Sequence, residues 1–252
     1  MNQVIDTIKE KLIEIEQREN VKILHCVESG SRAWGFPSPD SDYDVRFIYI
    51  RPKEHYLRLD KTRDVIEWQL DETLDINGWD LQKALRLLHN SNPTLFEWKN
   101  SPIVYRTSEA WNVISKTFDD YFNIVSGLYH YISTAKSNYR EYLKGDNVKL
   151  KKYFYVLRPL LACEYIRDHM APPPMLFDDL LCYLDGDTLF EVKKLLKLKA
   201  VTSELGESAK IVRINEYIEQ KLDELDVYVK NIKQSQKKDW GELNELFLSM
   251  IM

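Results

Sequence analysis

The sequence predicts an α+β fold, a strand-bearing N-terminal domain over residues 1–105 followed by an all-helical C-terminal domain over residues 106–252. Three observations predict it. Apolar runs rich in β-branched residues at 21–27, 42–50, 63–69 and 73–77 have the length of strands. Beyond Asn92-Pro93 such runs give way to long helical patterns. Hydrophobic residues make up 44% of 252 residues, with only 8 Gly and 9 Pro, which suits a compact, helix-rich chain with a sizeable core.

Val4, Ile5, Ile8, Leu12 and Ile15 recur at helical spacing, so residues 3–18 form an amphipathic helix beside the first strand, 21–27. Glu28-Ser29-Gly30-Ser31 follows, and Arg32-Ala33-Trp34-Gly35 suits a short helical turn. Pro37 and Pro39 make 36–41 a loop. Asp42 to Ile50 is the second strand, Arg63 to Gln69 the third and Thr73 to Asn77 the fourth, the last two joined by a short polar link around Asp71. Gly78 is expected to break the fourth strand, and Asp80 to cap a helix running to about Leu88. Helical patterns then cover 107–118, 120–144, 147–170, 187–200, 210–234 and 239–250. Pro159 is expected to kink the third of these, and Ala171-Pro172-Pro173-Pro174 to end it.

The chemistry concentrates between Val27 and Arg46. A strand ending in Gly30-Ser31 turns sharply where backbone N–H groups and the Ser31 hydroxyl can face an anion, as a phosphate requires. Ten residues after Ser31 comes Asp42-Tyr43-Asp44-Val45. Side chains alternate along a strand, so Asp42 and Asp44 share one face while Tyr43 and Val45 turn toward the core. Two carboxylates this close repel unless a cation lies between them, and such oxygen ligands suit Mg²⁺ or Mn²⁺. Arg46 shares their face and can either touch a phosphate or pair with Asp44.

Net charge is −5, but residues 136–158 hold seven bases against two acids, a local +5 that leaves −10 elsewhere. Within that segment Lys151, Tyr155 and Arg158 fall on one helix face. Such a face can hold a triphosphate and stack a base, guide an RNA backbone, or simply be solvated. Cys26, Cys163 and Cys182 are odd in number and far apart, which favours buried free thiols over disulfides or a zinc site. No basic leader with an apolar run opens the chain and no apolar stretch reaches membrane length, so a cytoplasmic location and no membrane partner are expected.

Gly30, Ser31, Asp42 and Asp44 together resemble the signature of the DNA polymerase beta-like nucleotidyltransferases, with Ser29 standing where an apolar residue is usual. The resemblance implies a nucleotidyltransferase core, a small mixed sheet flanked by helices, and a third carboxylate with apolar flanks on a strand next to the Asp-x-Asp strand. Leu74-Asp75-Ile76 fits that pattern and Ile66-Glu67-Trp68 rivals it; Asp75 is preferred because its strand leads directly into a helix. Gly30-Ser31-Arg32-Ala33-Trp34-Gly35, Gly78-Trp79-Asp80-Leu81, Asn92-Pro93-Thr94-Leu95-Phe96-Glu97-Trp98 and Arg158-Pro159-Leu160-Leu161 resemble the RlaP-like branch, associated with RNA repair. The resemblance implies transfer of a nucleoside monophosphate from a nucleoside triphosphate to an acceptor hydroxyl. In that reading Asp42, Asp44 and Asp75 bind metal and act in catalysis, while Gly30, Ser31, Arg46, Lys151, Tyr155 and Arg158 bind nucleotide. The basic segment points to RNA as acceptor. A protein or small-molecule acceptor, or an inactive nucleotide- or RNA-binding protein on the same scaffold, are the competing readings.

Overall fold

In a computed structural model, residues 2–69, 73–202, 206–233 and 237–252 are described. The link expected around Asp71 lies outside them. In chain order the elements are α1 (Asn2–Glu19), β1 (Lys22–Glu28), α2 (Gly30–Ala33), β2 (Tyr43–Ile50), α3 (Lys53–Tyr56), β3 (Val65–Gln69), β4 (Leu74–Asp80), α4 (Leu81–His89), α5 (Pro93–Lys99), β5 (Val104–Thr107), α6 (Glu109–Ile114), α7 (Ile124–Tyr142), β6 (Asn147–Lys149), α8 (Lys152–His169), α9 (Gly186–Val201), β7 (Glu207–Ala209), α10 (Val212–Asn231) and α11 (Gly241–Ile251). The fold is α+β, a mixed sheet flanked by helices with a helical C-terminal region.

Contacts group the chain into two compact units. The first comprises Met1–Ala33, Asp42–Tyr121 and Lys237–Met252; the second comprises Trp34–Ser41 and Phe122–Gln236.

The first unit is built on a sheet of order β3-β4-β2-β1-β5, in which β2 and β4 run parallel and the other neighbours antiparallel. Ile8, Leu12 and Ile15 of α1 bury against Val45, Phe47, Tyr49 and Ile76, the same face of β2 and β4. Alternation turns the intervening Asp44, Arg46 and Asp75 to the other face.

Gly78 does not break β4. The strand continues to Asp80, because Gly78 pairs with Phe47, whose ring fills the space a side chain would need: a Cβ there would stand 2.1 Å from Phe47 Cε2. Glycine here serves close approach within a strand. Asp80 does cap α4, accepting from the Gln82 N–H at 2.8 Å.

The second unit is a helical cluster. α8 is its centre, with Phe154, Leu157, Leu160, Leu161 and Ile166 buried among α7, α9 and α10. The pattern expected as one helix over 147–170 is a short strand, β6, paired with β7, and then α8. Pro159 lies inside α8, and the helix ends at His169 with Met170 in the left-handed conformation, just before the proline run. The segment Trp34–Ser41 belongs to this unit through Phe36, whose ring packs on Phe154 at 4.9 Å and Phe177 at 5.3 Å. The Phe177 N–H donates to the Trp34 carbonyl at 2.9 Å, and Lys199 Nζ donates to Ser38 Oγ at 3.3 Å. Cys26 and Cys163 are buried free thiols, as expected, whereas Cys182 is exposed. Among the described residues no helix is long and apolar enough to cross a membrane.

Candidate active site

Where β1 ends, Gly30 adopts φ +60° and opens α2, so the chain leaves the sheet at once. Only a residue without Cβ fits there, since a Cβ on Gly30 would lie 2.1 Å from Asp44 Oδ2. The turn expected to hold phosphate thus lies directly against the carboxylate expected to hold metal.

Parallel pairing of β2 with β4 sets Asp44 opposite Asp75. Arg46, one pleat further along β2, reaches back between them. Its Nη2 donates to Asp44 Oδ1 at 2.9 Å and to Asp75 Oδ2 at 2.7 Å, and its Nη1 donates to the Val45 and Asp75 carbonyls at 3.1 and 3.0 Å. The sequence left Arg46 open between two roles; in this structure it pairs with Asp44, and with Asp75 as well. Burial raises the Asp44 carboxyl above the usual carboxylate range; Arg46 opposes that shift, while Asp75 and Asp42 add to it.

Asp42 precedes β2 and is exposed. Its carbonyl accepts from Arg32 Nε at 3.0 Å, and the Arg32 guanidinium lies 3.8 Å from the centre of the Tyr43 ring. Glu67, the rival third carboxylate, sits opposite Asn77 rather than beside Asp44 and pairs with Arg63.

Hard oxygen donors facing one cationic nitrogen make a donor set that suits a divalent ion. Asp44 and Asp75 meet that description. Among the described residues, however, no three Asp, Glu, His or Cys side chains stand close enough to hold a metal ion, so Asp42 is not gathered in with the other two.

Sequence reasoning missed Glu28. It is fully buried at the end of β1, and its Oε1 accepts the Asp44 N–H at 2.7 Å while its Oε2 accepts the Tyr105 hydroxyl. Burial pushes its carboxyl up to about 7 against the lowering effect of those two bonds. Its one sequence signal is a charged residue closing an apolar strand, which reads equally well as the start of a turn.

In the second unit, Lys151 and Tyr155 are exposed but Arg158 is buried. The expected basic face is therefore incomplete. The Arg158 guanidinium lies 4.7 Å from the centre of the Trp34 ring, against which Tyr155 also packs edge-on, and it donates to the Met175 carbonyl at 3.4 Å. Tyr155 and Arg158 thus share a neighbour in Trp34, while Lys151 stands at the cap ahead of α8, and helical spacing could not show that Trp34 covers this side. Of the other bases, Lys136, Arg140 and Lys144 line a groove of about 460 Å³ together with Glu219, Asp223 and Asp226. Lys136 pairs with Asp226 there.

The chain is similar to the uncharacterized protein YcgL of Bacillus subtilis (strain 168), at 44% identity over 253 residues covering 98% of this chain and 95% of that one. A solved structure, that of a nucleotidyltransferase-like protein from Exiguobacterium sibiricum 255-15, is similar at TM-score 0.33 and 12% identity over 88% of this chain and 74% of the other, a likeness too slight to carry an argument. The RlaP family model, described as the RNA repair pathway DNA polymerase beta family, matches residues 4–249, and the chain belongs to that family of DNA polymerase beta-like nucleotidyltransferases.

Proposed function

We propose that the protein transfers a nucleoside monophosphate from a nucleoside triphosphate to an acceptor hydroxyl on RNA, with pyrophosphate as leaving group and Mg²⁺ or Mn²⁺ as cofactor. The observation that carries this reading is the pair Asp44 and Asp75, set opposite each other on parallel strands around one cationic nitrogen, with Asp44 lying against the Gly30 turn.

Asp44 and Asp75 would hold the divalent ion; Asp42, which the sequence offers as a third ligand, is exposed ahead of β2 and would have to move toward them to join the set. When bound, the ion neutralises charge on the triphosphate and on the departing pyrophosphate. Gly30 and Ser31 seat the β and γ phosphates. Asp75 takes the proton of the attacking hydroxyl, whose oxygen bonds to the α phosphorus as the bond to the β-phosphate oxygen breaks. Arg46, which balances the two carboxylates in this structure, would contribute its charge to a phosphate of the bound triphosphate. Exposed Arg140, Lys144, Lys149 and Lys151 in the second unit supply contacts to an RNA backbone.

The test is incubation with each α-labelled triphosphate, Mg²⁺ or Mn²⁺, and separate RNA, protein and small-molecule acceptors. Label is expected in RNA. Asp44→Asn is expected to lower transfer by about 10³-fold or more and to change unfolding free energy by only ~1 kcal/mol, because Arg46 keeps Asp75 as a partner. Transfer surviving both Asp44→Asn and Asp75→Asn sinks the metal role. Label confined to the protein or small-molecule fraction moves the acceptor.

A further inference from the structure

Asp44 uses both its main-chain polar groups toward β1. Its carbonyl accepts the Ser29 N–H at 2.8 Å, but its own N–H meets a side chain, Glu28 Oε1, at 2.7 Å. The reason is local. One residue past Ser29 the chain turns out of the sheet at Gly30, so a carboxylate stands where a continuing strand would offer a carbonyl.

Glu28 is itself fixed at every polar group. Its second carboxylate oxygen receives the Tyr105 hydroxyl from β5, its N–H donates to the Ile103 carbonyl at 2.9 Å, and its carbonyl receives Ser101 Oγ at 2.6 Å. Because Glu28 pairs with Val45, it lies on the sheet face opposite the Asp44 and Asp75 carboxylates and cannot itself reach an ion or substrate held there. Burying an acid beneath an acidic site is costly unless its bonds compensate, and a residue needed for packing alone would be apolar.

We propose that Glu28 is a positioning residue: by accepting the Asp44 N–H it locks the main chain of Asp44, and so holds its carboxylate in place between Gly30 and the Asp75 side chain. The proposal deepens the nucleotidyltransferase reading and rests on it for the identity of the ion, though not for the lock.

Two variants separate the lock from bulk and charge. Glu28→Met fills the space without an acceptor; Glu28→Gln keeps an amide oxygen for the Asp44 N–H and an NH₂ to meet the Tyr105 oxygen. Mn²⁺ affinity, read by titration calorimetry or electron paramagnetic resonance, is expected to fall by about 10-fold or more in Glu28→Met and to stay within about threefold in Glu28→Gln. In protein without metal, hydrogen exchange at the Asp44 amide is expected to speed up by about tenfold in Glu28→Met and to hold in Glu28→Gln. Native-like exchange at Asp44 in a folded Glu28→Met overturns the proposal, as does a Glu28→Gln as impaired as Glu28→Met. If the native protein binds no Mn²⁺, the metal-dependent function fails while the exchange comparison still decides the lock. Should Glu28→Met not fold, Tyr105→Phe releases the far end of the carboxylate and is expected to accelerate exchange at Asp44 about threefold; no change there also overturns the proposal.

Discussion

A methyl group at Gly30 would collide with the Asp44 carboxylate at a φ of +60°. Gly30→Ala is therefore expected to cost ~1–2 kcal/mol in backbone strain and to displace Asp44, so that a thermal melt shows a modest loss while nucleotide transfer is nearly abolished. A fully active Gly30→Ala protein would show that Asp44 needs no such closeness. His25, buried and stacked on Trp111 at 4.4 Å, makes a different prediction. Burial lowers its pKa to about 4. Below the ordinary value of 6.5 the unfolded chain takes up a proton that the folded protein refuses, so stability falls as pH drops from 6.5 toward 4, by up to ~3 kcal/mol. His25→Phe keeps a ring on Trp111 without titrating, and urea unfolding at pH 7 and pH 4.5 should show the variant gaining on the native protein toward acid. An equal difference at both pH values would mean that His25 takes up its proton in the folded state too. What sequence reveals at this scale depends on distance along the chain. Asp44 and Arg46 share a face by alternation alone, while Asp42 lies ahead of β2 where alternation does not reach, and apolar flanks pick out Asp75. The Glu28 bond to Tyr105 spans 77 residues, and only the pairing of β5 with β1 creates it.

Elements were legible where period and length agree. α1, β1, β2, α4 and α10 lie within a few residues of their expected ranges, because each carries a full apolar stripe or run. β4 runs past its expected end because Gly78 reads as a breaker unless Phe47 is known to lie over it. β5, β6 and β7 are too short for a two-residue period to register, and Pro102 just ahead of β5 hides it further. α11 was expected from its pattern, but not its place. It returns to the first unit, where Leu243 is buried, Trp240 stacks on His89 at 3.6 Å and Phe247 meets Tyr56 edge-on at 5.1 Å. Ending the chain at Lys233 is expected to destabilise that unit by about 3 kcal/mol or more through lost apolar burial. An unchanged midpoint in urea would show that α11 contributes nothing to it.

For the whole molecule, contact does not follow the order of the chain. The eight residues from Trp34 to Ser41, flanked by the Gly30-Ser31 turn on one side and Asp42 on the other, are counted with the helices by their packing, although their two prolines make them look like an ordinary surface loop. The uneven charge also reads differently in three dimensions. The local +5 of residues 136–158 is partly met by acids of α10, as Lys136 is by Asp226, and partly buried, as Arg158 is. Anyone seeking to graft the helical unit onto another sheet would find no single seam. Four joins are needed, after Ala33, Ser41, Tyr121 and Gln236, and a chimera that spared the first two would strand Phe36 without Phe154 and Phe177. Inheritance of one half without the other is thereby made difficult, and a working gene fusion would have to carry that octapeptide along with the helices it belongs to.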